Sequence, residues 1–266
     1  MVKHVSMATF LQFEEARQRG FMQKTLIILL ALHILLFTNT SFSKEIGCIE
    51  GDCENGAGII VFLNDSSFKG EFIHGEYHGI GTFTFANGSI YKGEYKNGLY
   101  NGHGIFSYAN RSQYEGEFKN GKYHGRGTFT FANGAVYTGQ YHENSIHGQG
   151  VFTYTDGSVY SGEFIDGIKD GHGVLTHSDN SKYSGEFIDG QYHGQGKYYF
   201  ANGERYSGEF VDGNIHGQGT FIYSDGSRYT GEFENGRRNG RGLYKNQNGT
   251  QYSGEFIDDK FLGQSG

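Results

Sequence analysis

The amino-acid sequence predicts an all-β protein, an elongated single-layer antiparallel β-hairpin solenoid that follows an N-terminal hydrophobic helix. The first observation is compositional: the 266 residues include 45 Gly, 20 Tyr and 23 Phe but no Pro and no Trp. The second is a spacing of 23 residues between aromatic side chains, from Phe68 to Tyr252. The third is a recurring Asn-Gly or Asp-Gly pair, which accepts positive φ angles and favours hairpin turns. Proline is rare within paired strands, so its absence agrees with a chain built mostly from them.

The leader, residues 1–43, has the pattern of a secretory signal. An apolar run at residues 25–37 follows Lys24 and precedes small serines, an arrangement typical of cleaved signal peptides. A membrane-spanning helix needs about 20 apolar residues, so this shorter run favours cleavage over a retained anchor. We expect cleavage between Ser43 and Lys44, with export to the periplasm, the cell surface or the medium. An uncleaved leader that anchors the protein in the membrane is the alternative.

Residues 1–21 are unusual in front of such a signal, because they form a long segment that includes two acidic side chains. Met22 would begin a more ordinary signal peptide, residues 22–43. We therefore expect translation to start at Met22, with residues 1–21 as an upstream extension. A cytoplasmic tail on a signal anchor is the alternative interpretation.

The charge of the chain limits its expected partners. The formal net charge is −7, and the leader holds four basic and two acidic side chains, which leaves −9 for residues 44–266. Nucleic acids and anionic lipids both attract clustered Lys and Arg. Nucleic acid is therefore not an expected partner, whereas a membrane contact stays possible through the leader.

Eight 23-residue repeats occupy residues 68–251. A degenerate repeat at residues 44–67 precedes them and a partial one at residues 252–266 follows, where Phe261 and Leu262 depart from the pattern. Each repeat of a linear array contacts only its neighbours, so the two ends need caps. We expect the two incomplete repeats to be those caps.

Within each repeat, the residues alternate as they would in a strand. Positions 1, 3 and 5 are aromatic, Gly and aromatic, and positions 12, 14, 16 and 18 are Gly, Gly, aromatic and aromatic. Each repeat should contain two strands. The pattern appears in the first strand of three repeats, at Tyr91, Gly93 and Tyr95, at Tyr114, Gly116 and Phe118, and at Tyr183, Gly185 and Phe187. It appears in a second strand at Gly125, Gly127 and Phe129. Because side chains alternate between the faces of a strand, these residues should share one face. Rings lying over the glycines of a neighbouring strand would bury apolar surface without a second layer.

The repeat can be written YxGEFxxGxxHGxGxFxYxxGxx, and it resembles the MORN repeat (membrane occupation and recognition nexus). The resemblance extends over nearly the whole chain after the leader. It implies a MORN ribbon and a scaffold or a module for interaction or dimerisation. It does not imply an attached catalytic domain here, because the repeats occupy the chain.

A column of histidines at position 11 is the most obvious candidate for a metal site. Its members are His78, His124, His147, His193 and His216. Zinc ligands converge at about 2 Å from one ion, whereas side chains in adjacent repeats lie roughly 10 Å apart. We therefore expect no metal here and interpret these histidines as turn residues, because Asn and Asp take the same position before Gly.

Other residue patterns also fail to indicate catalysis. Position 4 is Glu in nearly every repeat, but a regular column lacks the unequal environments that separate an acid from a base. The Gly-x-Gly pairs lack the further glycine and the helix of a nucleotide site. We expect no enzyme activity, no cofactor and no small-molecule substrate.

Cys48 and Cys53 follow the leader closely. In an oxidising compartment we expect them to form a disulfide that staples the start of the solenoid. Two thiols are too few for a zinc site. Lipidation of Cys48 is a weaker alternative.

These observations predict an exported, non-catalytic scaffold that binds a protein partner or a second copy of itself. The surface expected to do so is a regular face of exposed rings and carboxylates. Two alternatives stay open: a membrane-associated, lipid-binding protein tethered by an uncleaved leader, and a surface protein that binds carbohydrate through its rings.

Overall fold

The computed structural model describes residues 45–263, and every element in this range is a β-strand. The predicted hydrophobic helix and the predicted cleavage point at Ser43 and Lys44 lie outside the described residues. In the described range no helix is long and apolar enough to cross a membrane. The strands fall into two compact halves, which meet in sequence between Thr155 and Asp156.

The N-terminal half contains ten strands, each paired antiparallel with the next along the chain. They are β1 (Glu45–Gly51), β2 (Ala57–Phe62), β3 (Ser67–Ile73), β4 (Glu76–Thr84), β5 (Ile90–Lys96), β6 (Leu99–Ser107), β7 (Gln113–Lys119), β8 (Lys122–Thr130), β9 (Val136–His142) and β10 (Ser145–Thr153). Neighbouring strands are thus always neighbours in sequence.

The C-terminal half repeats this arrangement with ten further strands. They are β11 (Val159–Ile165), β12 (Ile168–Thr176), β13 (Lys182–Ile188), β14 (Gln191–Tyr199), β15 (Arg205–Val211), β16 (Asn214–Ile222), β17 (Arg228–Glu234), β18 (Arg237–Lys245), β19 (Gln251–Ile257) and β20 (Lys260–Gly263). The all-β antiparallel prediction is confirmed for the described residues.

Two kinds of turn join the strands. The tip turn, at positions 7 and 8 of each repeat, holds two successive residues at positive φ, as at Asn97 (51°) and Gly98 (75°). The link turn leads to the next repeat: the Phe85 N–H donates to the Ser89 carbonyl at 2.8 Å, and the Gly88 N–H donates to the Phe85 carbonyl at 2.9 Å. Asn, Asp and Gly dominate these positions because they adopt positive φ at low cost.

The second strand of each repeat does not alternate regularly, contrary to the sequence-based expectation. Position 12 takes a left-handed conformation, as at Gly125 (φ 59°). The pairing of β7 with β8 shifts at this level, between Gly116 and Phe118. Position 18 lies beyond the strand, since β8 ends at Thr130. A β-bulge therefore separates position 12 from the face that carries the rings.

The core is a single layer of aromatic rings over glycines. The Tyr114 ring stacks on Tyr123 with centroids 3.7 Å apart and meets Phe118 and Tyr141 edge-on, each at 5.1 Å. A Cβ added at Gly127 would lie 2.6 Å from Tyr114 Cε2, so that glycine makes room for the ring. Rings from successive strands thereby bury one another without a second sheet.

Position 10 supplies a stacked Tyr ring in four of the eight repeats, an Ile in two and a cation in the other two. Lys169 is only 2 % exposed and lies over the Tyr160 ring, 5.7 Å from its centroid. Arg238 lies over the Tyr229 ring at 5.7 Å and pairs with Asp259 at 3.1 Å. Cation–π contacts thus replace ring stacking at these two points.

The C-terminal repeat follows the pattern more closely than the sequence suggested. Phe261 does not depart from it: this residue occupies position 10, and its ring packs on Tyr252 at 4.6 Å and on Phe256 at 5.2 Å. Leu262, which comes next, is 63 % exposed. The expected interruption at Phe261 was therefore wrong, because the 23-residue count continues into the last hairpin.

Candidate interaction surface

The ring face, which carries positions 1, 3 and 5, is closed. In all eight repeats the rings at positions 1 and 5 are at most 5 % exposed, as in Tyr114 (0 %) and Phe118 (4 %). The same holds for Tyr91 and Tyr95 and for Tyr183 and Phe187. The prediction that this face exposes its rings is therefore wrong, because the rings of adjacent repeats cover each other.

The phenols at position 1 are also bonded internally. The Tyr114 hydroxyl donates to the Glu117 carbonyl at 2.8 Å, and burial raises the pKa of this phenol well above its ordinary value. The equivalent bonds run from Tyr91 to Glu94 and from Tyr183 to Glu186, at 2.9 and 2.8 Å. These hydroxyls hold the bulge in place and are not offered to a ligand.

The glutamates at position 4 are engaged as well. Glu117 Oε1 accepts the Arg126 N–H at 2.8 Å, and the carboxylate lies where a Cβ on Gly125 would be. The same bond joins Glu94 to His103, Gln140 to Gln149, Glu163 to His172, Glu186 to Gln195, Glu209 to Gln218 and Glu232 to Arg241. Because the amide oxygen of Gln140 serves equally, the position requires an acceptor and not a charge.

The five position-11 histidines are not turn residues. His78 lies in β4, His124 in β8, His147 in β10, His193 in β14 and His216 in β16. Each stands directly before the left-handed glycine of the bulge. A polar residue before Gly is common to turns and bulges because both need positive φ, which explains the misinterpretation.

Position 11 faces the tip turn of the following repeat. Asp170 Oδ2 accepts the Asp189 N–H at 3.3 Å, and Asn55 Oδ1 accepts the His74 N–H at 3.1 Å. A third imidazole, His142 at position 6, lies between two members of the column. The sequence pattern did not indicate His142, because the residues at position 11 were compared only with one another and not with residues on the intervening strands.

The two cysteines are bonded to each other. Cys48, in β1, and Cys53, in the turn after it, form a disulfide with Cα atoms 5.9 Å apart. The bond spans the start of the first hairpin. Among the described residues no three His, Cys, Asp or Glu side chains already converge as a metal site.

The outer face, opposite the rings, carries the exposed features. In three successive repeats of the C-terminal half an exposed aliphatic residue at position 6 precedes an exposed Asp at position 7. We call these six residues the tip stripe: Ile165, Asp166, Ile188, Asp189, Val211 and Asp212. The aliphatic side chains are 50, 46 and 39 % exposed, in that order. In the full repeats of the N-terminal half, position 6 is aliphatic only at Ile73 and is otherwise Lys96, Lys119 and His142.

Two solved structures show a distant likeness to this chain. The TCP10 domain of Danio rerio CPAP in complex with a peptide of Danio rerio STIL is 17 % identical with a TM-score of 0.42, and the match covers 79 % of this chain and 100 % of that one. The SAS-4 TCP domain in complex with a proline-rich motif of Ana2 from Drosophila melanogaster is 12 % identical with a TM-score of 0.38, covering 65 and 88 %. These similarities are too distant to support an inference about this chain. No curated protein matches it.

A family model described as MORN repeat matches eight consecutive segments of the chain. They are residues 68–90, 91–113, 114–136, 137–159, 160–182, 183–205, 206–228 and 229–251. These boundaries coincide with the repeats defined by the aromatic spacing, and together they account for most of the sequence. The chain therefore belongs to the MORN-repeat family.

Proposed function

We propose that this protein is an exported, non-catalytic scaffold that binds an extended segment of a partner protein along the tip stripe. One observation carries the proposal: Ile165, Ile188 and Val211 are exposed at the same position of three successive repeats, each beside an exposed Asp. Solvent-exposed aliphatic side chains in a regular row are typical of binding surfaces. The partner segment should carry apolar and basic residues to match.

The spacing of the tip stripe limits the conformation of the partner. Two strands per repeat, at about 4.8 Å each, place equivalent side chains roughly 10 Å apart. A polyproline II segment returns to the same side every three residues, over about 9.3 Å. A segment in that conformation can therefore place one apolar residue against each aliphatic side chain. Intervening Lys or Arg would reach the Asp carboxylates.

The outer face has a charge polarity that orients the partner. At the opposite end of two of the strands that carry the tip stripe the first residue is basic, Lys182 in β13 and Arg205 in β15, and Arg228 takes the same place in β17. A basic segment is therefore attracted to the tip stripe and repelled from the other edge of the face. This arrangement favours a partner that lies along the tips over one that covers the whole face.

The contacts of the repeats favour a scaffold over the other functions considered. The buried rings at positions 1 and 5 offer no open platform for stacking sugars. The position-4 acceptors are bonded to backbone N–H groups, which argues against a pair of free catalytic carboxylates. The net charge of −7 disfavours binding to anionic lipids.

Export is supported by two independent features. The leader has the signal pattern described above, and Cys48 and Cys53 form a disulfide, a bond that persists mainly in oxidising compartments. Intact mass of the protein from fractions of the native host tests this part. We expect a chain beginning at Lys44 whose mass rises by about two protons on reduction. A membrane-bound chain that retains its leader would instead support the tethered alternative.

Site-specific photo-crosslinking tests the binding surface. A photoreactive residue would replace Ile188 in the full-length chain, and in a matched control it would replace the exposed Glu115 on the outer face of the N-terminal half. We expect a discrete adduct only from position 188, and the crosslinked partner peptide should be apolar and basic. The added changes Ile165→Asp and Val211→Asp should abolish the adduct.

Three results would contradict the proposed surface. Equal adducts from positions 188 and 115 would show that the partner does not prefer the tip stripe. The absence of an adduct from every fraction would show that no partner protein binds there. An adduct with twice the mass of the chain would show self-association in place of a separate partner protein.

A further inference from the structure

Three histidines on successive strands of the N-terminal half form a cluster on the outer face. His142 lies in β9, between β8 with His124 and β10 with His147. The ring centroids of His142 and His124 are 5.5 Å apart, and those of His142 and His147 are 6.1 Å apart. The sheet register causes this proximity, because Gly125 pairs with Tyr141 and Ser145 pairs with His142.

These separations are close to what two imidazoles adopt around one transition-metal ion. Zinc binds histidine nitrogen at about 2.0–2.1 Å with tetrahedral angles, which places two ligand ring centroids roughly 5 to 6 Å apart. His142 and His147 are exposed and His124 is half-buried, so the rings have space to rotate toward a common ion. Among the described residues no three such side chains could hold a metal ion as they stand, so the rings must rotate for an ion to bind.

A carboxylate and an ammonium group lie beside the cluster. Glu143, in the adjacent tip turn, pairs with Lys122 at 3.0 Å. Glu143 directly follows His142 in the chain and is exposed. Its oxygen can complete the ligand set or orient a ligand imidazole.

We propose that His124, His142 and His147 form a surface site for a borderline-soft divalent transition-metal ion, with Zn²⁺ as the foremost candidate. The position-11 side chains of His124 and His147 stand roughly 10 Å apart on alternate strands, so both rings must turn toward His142 on the intervening strand to share one ion. An ion bound there would join three consecutive strands. It would therefore stabilise this part of the sheet, increasingly so as the free ion concentration rises above the dissociation constant.

Titration calorimetry with Zn²⁺ alone, on the tag-free full-length chain in a non-chelating buffer, tests the site. We expect about one equivalent of ion to bind. His142→Lys should weaken binding at least tenfold, because this residue contacts both other rings. Lys occupies the same position at Lys96 and Lys119, so the fold should tolerate it.

Two further variants separate the cluster from the other histidines. His124→Asn should weaken binding less than His142→Lys, since it leaves one close pair intact, and Asn occupies this position at Asn101. His193→Ala is the control, because the flanking position-6 residues there are Ile188 and Val211. Unchanged affinity in His142→Lys, equal losses in all three variants, or no binding by the native chain would overturn the proposal.

Discussion

Tyr114 shows how single residues serve the repeat. Its ring stacks on Tyr123, covers Gly127, and sends its hydroxyl to the Glu117 carbonyl. The alternation of rings and glycines was visible in the sequence, because a two-residue period places both on one face. The hydroxyl bond was not visible, since it depends on a bulge that brings the carbonyl within reach.

Gly127→Ala should destabilise the protein by about 1–3 kcal/mol, because the added methyl group would collide with the Tyr114 ring. Gly127 does not have a positive φ, so the cost would report ring packing and not backbone conformation. Denaturant unfolding checks this, with Arg126→Ala in the same strand as the exposed control. A loss equal to that of the control would show that the ring does not depend on the glycine.

Tyr95→Phe should leave the free energy of unfolding unchanged or raise it by up to about 1 kcal/mol. The Tyr95 hydroxyl is buried without a hydrogen-bond partner in the described structure, and Phe118 fills the same position in the next repeat. Tyr114→Phe is the matched comparison and should cost about 1 kcal/mol, since it removes the bond to Glu117. Thermal unfolding of both variants measures this difference. A larger loss of stability in Tyr95→Phe than in Tyr114→Phe would show that the Tyr95 hydroxyl, and not the Tyr114 hydroxyl, makes the stabilising hydrogen bond.

At the scale of the element, the hairpin was predictable and the bulge was not. Asn-Gly and Asp-Gly pairs specify the tip turns through positive φ, as at Asn97 and Gly98. The glycine at position 12 also adopts positive φ, but it does so inside a strand. The sequence pattern therefore led us to assign Gly125 to regular strand alternation and His124 to a turn. His142 was missed for a related reason: only pairing of β8 with β9 brings it beside the position-11 column.

Glu117→Ala should cost about 0.5–1.5 kcal/mol, because the exposed Arg126 N–H in the bulge would exchange its carboxylate acceptor for water. Glu117→Gln should cost much less, since Gln140 already accepts the equivalent Gln149 N–H at 2.9 Å. Hydrogen exchange at Arg126, with both variants, measures this. Equal acceleration in the two variants would indicate that the charge of Glu117, and not its oxygen, holds the bulge.

At the scale of the whole molecule, each half is a row of hairpins in which every strand pairs with its chain neighbours. Burial comes from ring–ring contact between adjacent repeats, so the stability of each half accumulates by neighbouring interactions. The sequence indicated this organisation because the period is nearly unbroken. It did not indicate which face stays open, since solvent exposure depends on how completely the rings cover each other.

Buried phenols should make the fold sensitive to high pH. Burial raises the pKa of Tyr108 and of Tyr223 to about 12, and that of Tyr114 further, whereas an unfolded tyrosine titrates near about 10. The stabilisation from these neutral phenols is complete below about pH 10 and is lost as the pH rises through about 12. Circular dichroism and tyrosinate absorbance should change together in that range. Ionisation of nearly all the tyrosines near pH 10 without unfolding would contradict the buried core.

Hydroxyl-radical footprinting of the full-length chain tests most directly which face is open. We expect Tyr114 and Phe118 to be protected, while Ile165, Ile188 and the 42 %-exposed Tyr199 are modified readily. That result would support a closed ring layer with the outer face available to a partner. Modification of Tyr114 and Phe118 at the rate of Tyr199 would contradict it and would make the rings the binding surface.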